Sequence, residues 1–195
     1  MKEIGVYIHI PFCKKKCCYC DFVSFSNKED MQERYISALK NEIENYKIQN
    51  MKLKINTIYI GGGTPSYIDP KYIQEILSEF NIKKIEEITI EINPGTVDET
   101  KLLKYKQAGI NRLSIGLQSA DNPILEKIGR IHTYQDFLNT YNSAKKIGFN
   151  NINIDLMIGL PGQTIENIKD SLEKIVGLMP NHISVYSLII EDKTP

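Results

Sequence analysis

All four cysteines of this 195-residue chain fall in one short run, Cys13-Lys14-Lys15-Lys16-Cys17-Cys18-Tyr19-Cys20. Cys13, Cys17 and Cys20 follow a Cys-x3-Cys-x2-Cys spacing, so a single loop can wrap one small inorganic centre. Structural zinc normally takes four protein ligands, usually as two separated pairs. No second pair exists here, and none of the histidines, His9, His132 and His182, belongs to the loop. A [4Fe-4S] cluster held by three thiolates leaves one iron open to something that is not protein, which suits a reactive site. Cys18 allows a second ligand set, Cys13, Cys18 and Cys20; the expectation is that Cys18 is a spare thiol. With no cysteine elsewhere to pair with, the run is not a disulfide framework.

Other polar residues stand where chemistry needs them. Gly61-Gly62-Gly63-Thr64-Pro65 follows a β-rich run, and without β-carbons its backbone can approach a ligand closely. Alone, such a run is more often a turn. Glu91 and Asp155 lie in otherwise apolar strands, where an unpartnered carboxylate is costly, so a polar site is the better reading. Gln118 is undecided by itself, and Arg130 on a polar segment reads by default as a solvated surface arginine. His9 and His182 read as ordinary strand residues.

Strands and helices must carry these residues to one place. Residues 6–10 are β-rich, and Ser26 or Asn27 can cap a following helix with Tyr35, Ile36, Leu39, Ile43 and Tyr46 on one face. Residues 57–60 form the next strand. Asp69-Pro70 is then a cap followed by proline at the first helical position, with Tyr72, Ile73, Ile76, Leu77 and Phe80 facing inward. Residues 88–92 make a third strand, and Asp98 opens a helix that Gly109 closes in a left-handed turn. A repeated grammar follows. Gly109-Ile110-Asn111 precedes a strand at 113–117, and Gly148-Phe149-Asn150 precedes one at 152–156. Thr133 caps a helix bearing Phe137, Tyr141 and Ala144; Thr164 starts another with Ile168, Leu172, Ile175 and Val176; residues 183–188 make a sixth strand.

Strands joined by crossover helices pair in parallel, which predicts an α/β fold. Periodicity does not choose between a doubly wound sheet and a barrel. The unusual residues do: 61–64, Asn93-Pro94, Gln118 and Gly159-Leu160-Pro161 all follow C-terminal strand ends. In a barrel those ends converge on one mouth, whereas an open sheet gathers ligand groups only at its switch point. The expectation is a partial TIM-like (β/α)6 barrel forming one domain over residues 1–195. Glu191-Asp192-Lys193-Thr194-Pro195 follows the last strand with no helix to cover it, so the chain reads as the front part of a longer protein, the C-terminal part of the barrel missing.

Composition excludes several classes. Lys plus Arg (24) balance Asp plus Glu (24), leaving no net field to hold polyanions, so nucleic acid is not an expected partner. At 42% apolar residues the chain can bury a core. Its apolar stretches are far short of the roughly 20 residues a membrane helix needs. Met1-Lys2-Glu3 places an acid where a signal peptide is basic, so the expected compartment is the cytoplasm.

Cys13, Cys17, Tyr19 and Cys20, as Cys-x3-Cys-x-aromatic-Cys, resemble the signature of the radical S-adenosylmethionine (SAM) superfamily. Tyr7-Ile8-His9-Ile10-Pro11-Phe12-Cys13 and Tyr19-Cys20-Asp21-Phe22 are similar to one branch, which holds oxygen-independent coproporphyrinogen III oxidase and the heme chaperone HemW. The likeness runs almost to the last residue. It implies a radical SAM barrel, a [4Fe-4S] cluster on Cys13, Cys17 and Cys20, and SAM chelating the open iron. Reduction would then cleave the sulfonium to a 5'-deoxyadenosyl radical. Gly62, Gly63 and Thr64 match the loop that holds the methionine moiety. Tyr7, Tyr19, Glu91, Gln118, Arg130, Asp155 and Ile189 match further SAM contacts: arginine can pair a carboxylate bidentately, and acids can bind the ammonium or ribose hydroxyls. His132 matches a family position to which no role can be assigned.

The resemblance leaves two functions. One is a chaperone that binds heme and passes it to an acceptor protein; the other is an oxidase that decarboxylates coproporphyrinogen III propionates. The oxidase branch has an additional cysteine two residues after the last ligand, where this chain has Phe22; that and the Arg130-Ile131-His132 context favour the chaperone. The family's proposed heme motif lies beyond residue 195. A tRNA-modifying relative is disfavoured by the charge balance and the lack of a basic or aromatic-rich module. The implied electron donor is a flavodoxin or ferredoxin. Lys14, Lys15 and Lys16 are most simply a solvated loop face; the sharper reading is a basic dock for that donor.

Overall fold

The computed structural model describes residues 2–49, 53–191 and 194. Asp192, Lys193 and Pro195 of the chain end discussed above lie outside the described residues. The main sheet has six parallel strands: β1 (Lys2–Ile10), β2 (Leu53–Gly62), β3 (Glu87–Ile92), β4 (Arg112–Gln118), β5 (Asn151–Ile158) and β6 (His182–Ser187). Each strand pairs with the next in sequence and the order never reverses. A doubly wound sheet must reverse at its switch point. The sheet is therefore a curled half-barrel, as the clustering of unusual residues at strand ends implied.

Among the described residues, six α-helices accompany it: α1 (Gln32–Gln49), α2 (Pro70–Ser78), α3 (Glu99–Gln107), α4 (Asn122–Lys127), α5 (Tyr134–Ile147) and α6 (Ile165–Gly177). The strands alternate with period two, placing apolar and polar residues on opposite faces. Ile58, Ile60, Ile90, Leu113, Ile115, Ile152 and Ile154 share one buried core with Ile36, Ile73, Leu77, Leu102 and Phe137 of the helices. Full burial of such a side chain contributes roughly 1.5–3 kcal/mol, so this layer holds the sheet to its helices. The opposite, concave face carries Tyr7, Tyr59, Thr89, Glu91, Ser114, Asn153, Asp155 and Tyr186, and it is this face that forms the site.

Local signals set the helix ends. Asp69 and Asp98 accept bonds from the amides of Lys71 and Lys101, and Thr133 and Thr164 form capping boxes with Asp136 and Asn167. Each such cap is worth about 1 kcal/mol. Gly109 (φ +96°) and Gly148 (φ +93°) turn the chain out of α3 and α5, as the repeated grammar required.

Three details differ from expectation. Neither Ser26 nor Asn27 caps α1: Ser26 pairs with Cys13 in a two-residue parallel bridge, Asn27 turns with φ +57°, and a 3-10 turn at Glu29–Met31 precedes the helix. Tyr46 and Val176, expected on inner faces, are 48% and 57% exposed. The short helix α4 was not anticipated, although Asp121 caps it and Pro123 sits in its first turn. Among the described residues, no helix is long and apolar enough to cross a membrane.

Candidate functional site

The cysteine loop grows out of the β1–β2 pairing. Beyond the sheet, Gly63 N–H donates to the Ile10 carbonyl and Thr64 N–H to that of Phe12, both at 2.9 Å. Cys13 is thereby set beside the glycine run, and Thr64 Oγ1 donates to its Sγ at 3.4 Å. A β-carbon on Gly63 would lie 2.9 Å from Cys13 Sγ and 3.0 Å from the Phe12 carbonyl oxygen, so only glycine fits that wall. The loop turns through Cys20 N–H to the Cys17 carbonyl (3.2 Å) and returns through Phe25 N–H to the Pro11 carbonyl (2.7 Å).

Cys13 is buried, and burial pushes its thiol pKa up; Cys17 and Cys20 are close enough to add to that shift. Cys18 differs. Its amide bonds to the Ile128 carbonyl at 3.2 Å, and its Sγ lies where a β-carbon on Gly129 would come within 3.0 Å. Its thiol thus lies against Gly129, two residues past the end of α4. Among the described residues, no group of three His, Cys, Asp or Glu side chains is arranged to hold a metal ion. A cluster asks for something different, one thiolate on each of several irons. Three thiols on one loop, against a wall with no side chain, fit that requirement.

Glu91 anchors the next part. Its Oε1 accepts from Tyr59 Oη at 2.9 Å and its Oε2 from Gly62 N–H at 3.2 Å, tying the ends of β2 and β3 together. Burial raises its pKa from 4.5 to about 7, against the lowering effect of these two bonds. Gly62 has φ +118°, and a β-carbon there would strike the His9 ring at 2.7 Å. His9 thus packs on the glycine loop, its Nε2 bonded to the Val23 carbonyl (2.8 Å) and its Nδ1 to Tyr7 Oη (3.2 Å). The Tyr7 ring stacks on Tyr59 with centroids 6.1 Å apart.

Across the concave face, Asp155 accepts from Ser114 Oγ (3.1 Å) and Asn153 Nδ2 (2.7 Å), while Ser184 Oγ donates to Asn153 Oδ1 (3.0 Å). Burial raises the Asp155 pKa, and those neighbours oppose the rise. Gln118 sits at the irregularity between β4 and β5 with φ +74°, a conformation that costs a side-chain-bearing residue energy. There its Oε1 accepts from Tyr186 Oη at 2.9 Å.

Arg130 is not the surface residue its segment suggests. Its Nη2 donates to the Gly116 carbonyl at 2.6 Å and its Nη1 faces Cys17 Sγ at 3.8 Å, while the fully covered Nε has no partner. No carboxylate pairs with it among the described residues. Tyr19 packs beside it against Ile124, Leu125, Ile128, Met157 and Leu160. His132 Nδ1 meets Asn93 Oδ1 at 3.2 Å; burial first, then the Arg130 charge, holds its pKa down to about 3, so its ring is neutral.

The structure thus brings Cys13, Cys17, Cys20, Tyr7, Tyr19, Gly62, Gly63, Thr64, Glu91, Gln118, Arg130 and Asp155 to the C-terminal mouth and concave face of the sheet. Ile189 lies past the end of β6 and is 68% exposed. Sequence reasoning missed Tyr59, Ser114, Asn153, Ser184, Tyr186 and the placement of His9. The signal was available, since each occupies an alternate, inward position of its strand.

A family model described as the radical SAM superfamily matches residues 7–175. The chain is 39% identical to the heme chaperone HemW of Bacillus subtilis (strain 168) over 97% of its own length and 52% of that protein's. It is 43% identical to the heme chaperone HemW of Buchnera aphidicola subsp. Acyrthosiphon pisum (strain APS), covering all of this chain and 53% of the other. Among solved structures, coproporphyrinogen III oxidase (HemN) from Escherichia coli, a radical SAM enzyme, superposes with a TM-score of 0.87 at 27% identity, over all of this chain and 48% of that one. The chain spans about half the length of the curated relatives it matches.

The raised Glu91 pKa gives a pH test. The folded protein holds this proton more tightly than the unfolded chain, so the stabilisation is whole below pH 4.5 and is lost as pH rises through about 7. Across that window the loss is on the order of 3 kcal/mol. Urea unfolding without SAM at pH 5 and pH 8 should show this decline, and Glu91→Gln should flatten it. Equal pH slopes in both proteins would reject a Glu91 carboxyl that is protonated near neutrality.

Proposed function

The chain belongs to the radical SAM superfamily, and from that premise we propose that it acts as a heme chaperone of the HemW kind, with a [4Fe-4S] cluster on Cys13, Cys17 and Cys20 and SAM on the adjoining loops. The observation that carries the chaperone reading is Phe22, which stands 68% exposed where the oxidase branch has an additional cysteine. The identity to the heme chaperones supports it. A coproporphyrinogen III oxidase is the second reading, favoured by the superposition on HemN.

In this reading the bound cofactors supply one-electron reductive chemistry, and the chain's residues bind, orient and shield them. Gly62, Gly63 and Thr64 present backbone to the methionine moiety. The Arg130 guanidinium, with a free Nε, is the group for a carboxylate, and Glu91 and Asp155 are the groups for an ammonium or ribose hydroxyls. Tyr7, Tyr19 and Gln118 line the same mouth, and Ile189 is its outermost member. Heme, an acceptor protein and a flavodoxin or ferredoxin are the partners this function requires. The exposed Lys14 and Lys15, on the loop that carries the cluster cysteines, offer an acidic donor a complementary charge.

Each part has its measurement. Changing Cys13, Cys17 or Cys20 to Ala should abolish the iron–sulfur absorbance of the anaerobically reconstituted protein, and Cys18→Ala should retain it; a full cluster in any of the first three rejects the ligand set. Heme titration should show saturable binding, while reduced protein incubated with SAM and coproporphyrinogen III should leave the porphyrinogen unchanged. Protoporphyrinogen formation would establish the oxidase instead. Cluster reduction by flavodoxin should slow as salt rises, and Lys14→Ala with Lys15→Ala should remove that dependence; an unaltered rate ends the docking role.

A further inference from the structure

One half-buried ammonium joins the loops that follow β2 and β3. Lys101, near the start of α3, donates from Nζ to the Ser66 carbonyl at 2.7 Å, the Thr96 carbonyl at 3.1 Å and the Tyr67 carbonyl at 3.4 Å. An ammonium has three N–H donors, so all are engaged. No carboxylate lies in ion-pair contact with it among the described residues; Asp98 and Asp69 act on it only at longer range. Its acceptors are carbonyls of two 3-10 turns, Pro65–Tyr67 directly after the glycine loop and Pro94–Thr96 directly after Asn93. The last carbonyls of so short a turn have no partner within it, and one cation satisfies both turns together.

Hydroxyls close the same junction. Ser66 Oγ, fully buried, lies 2.6 Å from Thr96 Oγ1 and accepts from Asn93 N–H at 3.0 Å, while Thr96 Oγ1 donates to the Asn93 carbonyl at 2.7 Å. On one side of this junction, Gly63 and Thr64 carry the backbone and hydroxyl contacts to Ile10, Phe12 and Cys13. On the other, Asn93 holds His132, which lies close enough to Arg130 to feel its charge. The acceptors lie in the two 3-10 turns, outside the strands and the α-helices, and of the three acceptor residues Tyr67 packs its side chain on the edge of the core.

We infer that Lys101 is a positioning residue for SAM, clamping the glycine loop and the Asn93 turn at the separation the ligand needs. The inference rests on the SAM reading of that loop given above. Lys101→Met should release both turns while the core stays folded, and Lys101→Arg, which keeps a cation with several donors, should restore them.

The test uses cluster-loaded protein and two readouts. Amide hydrogen exchange over residues 61–68 and 93–98 should accelerate about tenfold or more in Lys101→Met with strand β3 unaffected, and SAM affinity by equilibrium dialysis should fall at least as much. A purely structural lysine would lower the unfolding temperature without changing SAM affinity in the folded protein. Should Lys101→Met fail to fold, Ser66→Ala breaks the same junction more mildly and is held to the same outcome. Wild-type SAM affinity in either folded variant overturns the proposal. Failure of the unaltered protein to bind SAM overturns the functional reading, and this proposal with it.

Discussion

The backbone bonds from Gly63 to Ile10 and from Thr64 to Phe12 extend the β1–β2 pairing past the sheet, and the site depends on them. They bring a thiol-bearing loop and a side-chain-free loop into contact so close that a β-carbon on Gly63 would meet sulfur and main chain together. A flexible side chain could yield to such a contact; a carbonyl held in a ladder cannot. Once Cys13 is fixed, the remainder of its loop is held at two further places, at Pro11 by Phe25 and at Ile128 by Cys18. The short helix α4 therefore has a clear role: its C-terminal end supplies the carbonyl and the glycine on which the far side of the loop rests.

Behind this contact lies the two-sidedness of the sheet. Parallel sheets covered on both faces are apolar on both. Here the outer face is aliphatic and packed on helices, while the inner face is a row of hydroxyls, amides and acids. Most of these satisfy one another across neighbouring strands, as Ser114, Asn153, Asp155 and Ser184 do, and Tyr59 with Glu91. The charges are not fully answered from within. Glu91 and Asp155 are pushed toward their neutral forms, and Arg130 has a covered Nε with nothing bonded to it. Buried groups left in that state cost folding energy. A ligand carrying both a carboxylate and an ammonium would offset the cost at each end, which ties the zwitterionic SAM reading to the energetics of the wall.

The architecture was legible because its signals are local. Asp69-Pro70, Thr133 and Thr164 announce helix starts, and Gly109 and Gly148 announce ends, whatever packs around them. The cysteine spacing was equally readable. Arg130 was not: nothing in Gly129-Arg130-Ile131 tells a solvated guanidinium from one turned inward to the Gly116 carbonyl, because that depends on α4 and the cysteine loop closing over it. His9 was misjudged for a similar reason, since its ring becomes part of the site only when Gly62, distant in sequence, passes beneath it. Lys101 reads as one more charged helix residue until the two turns it bonds are brought together.

The same inner wall bears on what a ligand at the mouth would meet. Fold alone does not decide, since a backbone this close to HemN can serve different chemistry. Charge is more informative. The arginines that reach this wall are engaged: Arg112 lies 3.8 Å from Glu87 and bonds His182, and Arg130 is bonded to Gly116 beside the cysteines. Glu87, Glu91 and Asp155 leave the wall rich in acids. Of these, Glu91 and Asp155 are pushed toward their neutral forms by burial, and a cationic group beside them would favour their ionised forms. The described elements thus set acids that a cation would ionise on one side of the wall and the Arg130 guanidinium, with its unbonded Nε, on the other.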